Sequence, residues 1–285
     1  MKPLTYRQFL QVGHEQWLAQ YNPLIRAFVR LFGPLGVHAR IRNARVINAI
    51  RRLNLPPGAR ILDAGCGHAY ATFWLARQYP RYRIRALETD PTLVAADKRI
   101  ASGLRLSNVE ILQADVSALP QGDVYDLVFS IDVLEHIVDD VGTLRAFRRT
   151  LCPEGWLVLH LPRRHQEHRR FFPAFKAHTT PDHVRDEYTA SEIRERLDQA
   201  GFRVKHLRYG FSMWGELAFE LNNLFWKWKW LRALTALLTH PLSVWLAYVD
   251  TRRDYEDGNS LLVLARPTQP SSSVTREVFP KESPT

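Results

Sequence analysis

The stretch RILDAGCGHAYATFWLARQYPRYRIRALETD, residues 60–90, decides the fold. A short β-rich run, RILDA, leads into two glycines two apart, Gly65 and Gly67, then into a helical stretch and a second β-rich run ending at Glu88. The same alternation continues through VEILQA, YDLVFSI and GWLVLHLP, separated by the helical runs PTLVAADKRIA and VGTLRAFRRTL. Strand and helix repeated this regularly predict an α/β fold, doubly wound, with a mostly parallel sheet and helices on both faces.

In an open parallel sheet, ligands bind beyond the carboxyl ends of the strands. Gly65 and Gly67 let backbone approach a ligand there, and the helix beginning near Ala69 offers its free N–H groups. A dinucleotide site calls for a Gly or Ala three residues after the second glycine, where Tyr70 stands. Asp63, directly before the turn, would repel a pyrophosphate but suits a ligand bearing an amine and a positive charge.

With ILDAGCG (Ile61 to Gly67), ALETD around Glu88, VEILQAD ending at Asp115, YDLVFSIDVLEHI and LRAFRRTLCPEGWLVLHLP in this order, the chain resembles the class I S-adenosylmethionine-dependent methyltransferases. The likeness covers roughly residues 58–210 and the last strand. PDHVRDEYTASEIRERLDQAGF further resembles the small-molecule and lipid-quinone branch. The resemblance implies a Rossmann-like sheet of seven strands, the last antiparallel, and S-adenosyl-L-methionine as cofactor. It assigns Asp63, Gly65 and Gly67 to the methionine end, Glu88 to the ribose, Asp115 to the adenine amine and Val116 to a backbone contact with the ring. Cys66, Thr89 and Ser130 complete the expected cofactor-binding set. His68 departs from the small residue usual after the second glycine.

Methyl transfer from a sulfonium is an in-line displacement, so the enzyme aligns an acceptor and, for a hydroxyl, removes a proton. SIDVLEH, after the fourth strand, offers Asp132, Glu135 and His136. Asp132 and His136 are the expected catalytic residues, with His136 as base because an imidazole is partly neutral at working pH; its other reading is an orienting cap for the next helix. The Asn or Asp, two prolines and aromatic that accompany methylation of a base amine are missing from SIDV, and Cys152 is misplaced for attack on a pyrimidine, which argues against nucleic acid. Arg163, Arg164, Arg169 and Arg170 are expected to hold an anionic group of the substrate. The nearby His165, His168, His178 and His183 lack metal-ligand spacing, and no metal is expected.

Two cysteines in 285 residues and a start without the signal-peptide order point to the cytoplasm. Residues 233–249 are short for a membrane span and carry His240 and Pro241. Of the net charge of +10, most falls in residues 1–57, with nine Lys or Arg against Glu15. Such a basic front end suits anionic lipid, nucleic acid or a phosphorylated substrate, or is a solvated helix face.

The chain therefore divides into a basic helical extension (1–57), a methyltransferase domain (58–267) with a substrate-side insertion (163–189) and an aromatic helical insertion (212–257), and a Pro/Ser-rich tail (268–285) expected to be disordered. The aromatic insertion reads as a substrate lid, as a membrane foot with Leu234, Leu237, Leu238, Leu242 and Trp245 dipping inward, or as a helical pair packed on the core. The expectation is a cytoplasmic methyltransferase, peripheral on the inner face of an anionic membrane, that O-methylates a hydrophobic or lipid-linked small molecule. RNA methylation and a non-catalytic cofactor-binding subunit are the alternatives, and oligomeric state is left open.

Overall fold

The computed structural model describes residues 2–20, 22–119, 124–164, 170–173, 184–185, 187–224 and 229–268. Seven strands form one sheet: β1 (Arg60–Ala64), β2 (Arg83–Glu88), β3 (Val109–Gln113), β4 (Tyr125–Ile131), β5 (Leu151–Pro162), β6 (Phe202–Gly210) and β7 (Ser260–Pro267). Their order is β3-β2-β1-β4-β5-β7-β6. The first five pair in parallel, and β7 runs antiparallel between β5 and β6. Strand order reverses between β1 and β4, so the carboxyl ends of these two flank the crevice where a ligand is expected.

The helices begin where local chemistry supplies caps. In α6 (Pro91–Gly103) the Asp90 side chain accepts from Thr92 N at 2.7 Å and proline opens the first turn. Thr189 and Glu192 form a reciprocal capping box on α8 (Ala190–Gln199). α5 (Tyr70–Gln78) follows the glycine turn and α7 (Asp140–Thr150) follows β4. Leu62, Val128, Leu144, Phe147 and Ile193 fill the core on one side of the sheet.

Ahead of β1 lie α1 (Tyr6–Leu10), α2 (His14–Gln20), α3 (Pro23–Phe32) and α4 (Val37–Arg52). Leu4, Phe9, Ile41 and Ile47 share the other core with Ile61 and Phe129, so the extension is built into the same body as the sheet. This explains where much of its positive charge goes. Arg45 is buried against Asp250 at 2.7 Å, and Arg52 meets Asp254 at 3.2 Å. Arg40 is buried over the Phe9 ring, donating to the carbonyls of Phe32 and Pro34, and burial pushes it down to about 9.

In the aromatic insertion, α9 (Met213–Asn222) and α10 (Lys229–Thr251) form a helical pair packed on α4. Val244, Leu246 and Ala247 face the core, while Leu238, Leu242 and Trp245 face solvent. Among the described residues no helix is long and apolar enough to cross a membrane. The expected disordered tail lies outside the described residues apart from Thr268, whose N–H donates to Gly201 O at 2.9 Å.

Candidate active site

Leu87 O accepts from Gly65 N at 3.0 Å and Cys66 N at 2.8 Å, fastening the turn after β1 to the end of β2. Gly65 has φ 82°, and a Cβ there would stand 2.5 Å from Val133 Cγ2. Gly67 has φ 53°, yet a Cβ there would meet nothing within 4 Å, because this side of the turn faces open space. Glu88 ties the two loops together, its Oε2 accepting from Gly67 N at 2.9 Å and its Oε1 from Thr89 N at 2.8 Å and Asp90 N at 3.0 Å.

That open space is a cavity of about 480 Å³, within the size range of small-molecule sites. It is lined by Asp63, Gly65, Cys66, Gly67, Glu88, Thr89, Asp115 and Val116, by Ala39, Arg42 and Asn43 of α4, and by Asp132, Val133 and His136. Asp63 is buried, accepts from Thr72 Oγ1 at 2.6 Å, and is pushed up to about 7 by burial. Behind it, Asp97 is also raised by burial to about 7, and Gln16 of α2 bridges it to His68 O. Carboxyls kept from ionising by burial regain charge when a cation arrives. Asp115 caps its own short turn through Ser117, which holds it below the usual carboxylate range.

Asp132 follows β4 with φ 52°. Its Oδ1 lies 2.6 Å from His160 Nδ1 and its Oδ2 accepts from Arg42 Nη1 at 2.7 Å. Burial works against ionisation of Asp132, but the His160 and Arg42 charges outweigh it and hold the carboxyl well below its ordinary range. An ionised carboxylate only accepts, so His160 Nδ1 carries the donated proton and Nε2 is left as its other nitrogen. Nε2 is buried without a hydrogen-bond partner among the described residues. His38, one helical turn before Arg42 on the same face of α4, has its ring 4.8 Å from that of Phe211 and 5.4 Å from that of Phe219. Desolvation by the surrounding protein, followed by the Arg42 charge, lowers the His38 imidazole from its ordinary value. Glu135 is buried and pushed well above the usual range by desolvation and by Asp132.

A family model described as a methyltransferase domain matches residues 38–207. The chain belongs to that family. Trans-aconitate 2-methyltransferase of Methylobacterium nodulans is 32% identical over 121 residues, 42% of this chain and 45% of the relative. Malonyl-[acyl-carrier protein] O-methyltransferase of Halorhodospira halophila is 33% identical over 112 residues, 39% of this chain and 37% of the relative. The match thus spans less than half the length of these relatives. A solved S-adenosylmethionine-dependent methyltransferase of Clostridium acetobutylicum, 11% identical, superposes with TM-score 0.53 over 81% of this chain and 92% of that chain, a likeness of fold.

S-adenosylmethionine is the cofactor that goes with this family and fold, and the cavity fits it: the open face of Gly67 leaves room, and the buried Asp63 answers a ligand with an ammonium and a sulfonium. In this methyltransferase domain nine of the expected cofactor and catalytic residues besides Cys66 line one cavity: Asp63, Gly65, Gly67, Glu88, Thr89, Asp115, Val116, Asp132 and His136. Cys66 joins them, its thiol pushed up by burial and so unreactive. Ser130 does not line it. The Ser130 hydroxyl is buried and donates to Ala64 O at 2.7 Å, joining β4 to β1.

The arginines also differ from expectation. Arg163 pairs with Asp257 at 2.5 Å, Arg164 with Glu192 and Arg170 with Glu216, and none of the three lines the cavity. Their forks are taken up by the protein's own carboxylates, which fasten the segment after β5 to α8 and α9. Arg169 and the four histidines of that insertion lie outside the described residues. Reading the chain missed His38, Arg42 and His160. His160 carried a signal, a lone imidazole at the end of the apolar run WLVLHLP; His38 and Arg42 offered only their i, i+4 spacing.

Proposed function

We propose that this domain transfers the methyl group of S-adenosylmethionine to an oxygen of a hydrophobic or lipid-linked small molecule, working in the cytoplasm at the inner face of a membrane. The observation that carries this reading is the cavity that Asp63, Glu88 and Asp115 line together with Asp132, His136 and Arg42. The sulfonium supplies an electrophilic methyl group; the chain's own residues hold the acceptor in line and take up its proton.

Three features support an oxygen acceptor on an apolar molecule. His136 lines the cavity, Asp132 orders His160 beside it, and Leu87, Ile131, Val133 and Ile137 supply apolar wall. The Halorhodospira relative is itself named for O-methylation. RNA methylation has less support, because Arg40 and Arg45 are buried and Arg42 and Arg52 are paired with Asp132 and Asp254.

The test is calorimetry with S-adenosylmethionine and its demethylated product, followed by transfer of a labelled methyl group into a lipid extract of the native host. Heat with both ligands and label in an alkali-sensitive ester or a stable ether is the expected result. Heat without any transfer would favour a non-catalytic subunit, and label appearing only in RNA would overturn the acceptor class.

A further inference from the structure

α10 is apolar on two opposite sides, and only one of them is used by the fold. His240, Ser243, Val244 and Ala247 turn inward, whereas Leu238, Leu242 and Trp245, at i, i+4 and i+7, form a stripe on the outer side. These three side chains are 72%, 51% and 52% exposed. A helix that is apolar all round is normally buried all round.

α3 repeats the pattern. Leu24, Ala27 and Leu31, at i, i+3 and i+7, are exposed, the two leucines at 83% and 68%. The two helices touch through Phe28 and His240, whose rings are 5.5 Å apart, and through His240 Nε2, 3.2 Å from Phe32 O. Burial keeps that imidazole neutral at about 4, so Nε2 donates to the carbonyl as part of the joint.

Charge identifies what covers such a face. α3 contains no acid, and the one acid of α10, Asp250, is fully buried against Arg45. Among the described side chains of the two helices the exposed charge is the cation Arg30 on α3, and Arg252 and Arg253 follow α10 directly, ahead of Asp254, which pairs with Arg52, and Glu256. A second copy seated on this face would bring arginines against arginines with no carboxylate from either helix to meet them. An anionic headgroup layer supplies the missing charge, accepts the leucines below it and suits an indole at the boundary.

We infer that the outer faces of α3 and α10 are the surface by which this protein docks on an anionic lipid bilayer, lying in the interface rather than crossing it. The inference deepens the proposed function by naming the surface that brings the site to a lipid-linked acceptor.

The test is flotation of the full chain with phosphatidylcholine vesicles, with and without phosphatidylglycerol, for the wild type and the double variant Leu242→Glu/Trp245→Glu. Both positions lie on the solvent side of α10, and neither lines the cavity. The wild type should float with the anionic vesicles, and the double variant at least tenfold less, with unchanged circular dichroism and unchanged heat of S-adenosylmethionine binding. A wild type that stays at the bottom with both vesicles, or a double variant that floats equally well, overturns the inference. So does a wild-type dimer in sedimentation that the double variant splits, since the face would then be a self-interface. Absence of heat with the cofactor, flotation being intact, would instead sink the proposed function and leave the docking surface standing.

Discussion

Asp132 and His160 meet through Oδ1 and Nδ1 at 2.6 Å, at the adjacent carboxyl ends of β4 and β5. The register that sets Ile131 beside His160 places the two together, and Asp132 N donates to His160 O at 2.9 Å. The left-handed backbone of Asp132 then turns its carboxylate to the cavity, where Arg42 takes the second oxygen. One residue thereby links α4, β4 and β5 at the cavity wall.

Replacing Asp132 with Asn tests what that link does. Asn tolerates the left-handed region and keeps the size, but it removes the charge that orients His160 and Arg42. Turnover should fall by about 10²-fold or more, the scale of lost acid–base assistance, while cofactor affinity changes little. Initial rates with labelled cofactor, set beside calorimetry, separate the two. A variant with wild-type turnover would make the Asp132–His160 contact a matter of folding alone.

The two turn glycines should behave differently under the same substitution. Gly65→Ala combines a left-handed backbone, about 1–2 kcal/mol for an L-residue, with a Cβ 2.5 Å from Val133. Gly67→Ala carries the backbone cost alone, since its Cβ meets no protein atom within 4 Å. Thermal unfolding should therefore show the larger loss for Gly65→Ala, and calorimetry should show Gly67→Ala weakening the cofactor at a milder cost in stability. Equal melting temperatures for the two variants would contradict this.

The alternation of strands and helices and the acids near the strand ends were legible because they obey local rules: Gly65 and Gly67 mark a backbone turn, and Asp63, Glu88 and Asp115 lie at or beside the ends of β-rich runs. Ser130 misled because it sits on the same strand as the site but faces Ala64 O, and one residue of register decides which. Arg163, Arg164 and Arg170 misled because an arginine's partner is set by tertiary contacts with Asp257, Glu192 and Glu216, acids distant in sequence from each of them. The same holds for the basic extension, where Arg45 finds Asp250 some two hundred residues on. His38 depends on α4 lying across the sheet end, which no spacing within the helix announces.

Asp63 gives the protein a pH signature. Its folded value of about 7 lies above the ordinary 3.8, so across that window the folded state holds a proton that the unfolded chain has released. Stability from this group therefore falls as pH rises from about 4 to about 7. Asp132, held low, acts oppositely and loses its contribution only at acid pH. A cationic cofactor favours the Asp63 carboxylate, so binding near pH 6 should release protons and tighten as pH rises towards neutrality. Calorimetry in two buffers of different ionisation heat reads the release directly, and Asp63→Asn should abolish it; identical heats in both buffers would count against Asp63 facing the cation.

The buried pair of Arg45 and Asp250 should matter more than any surface ion pair, because Asp250 does several jobs at once. Its Oδ2 takes Arg45, and its Oδ1 accepts from Ser212 N at 2.9 Å and Gly215 N at 3.1 Å, so α4, α9 and α10 meet on one carboxylate. Asp250→Asn leaves a buried guanidinium without its counter-charge, a loss of about 3–5 kcal/mol, equivalent to roughly 5–8 °C in Tm at this chain length. Replacing both partners, Arg45→Met with Asp250→Leu, removes the stranded charge and should recover part of the loss. α4 also carries His38 and Arg42, so loosening its hold on α10 should lower turnover more than cofactor affinity. A melting temperature for Asp250→Asn within a degree or two of the wild type would mean that packing of Val244 and Ala247 holds α10 in place without the ion pair.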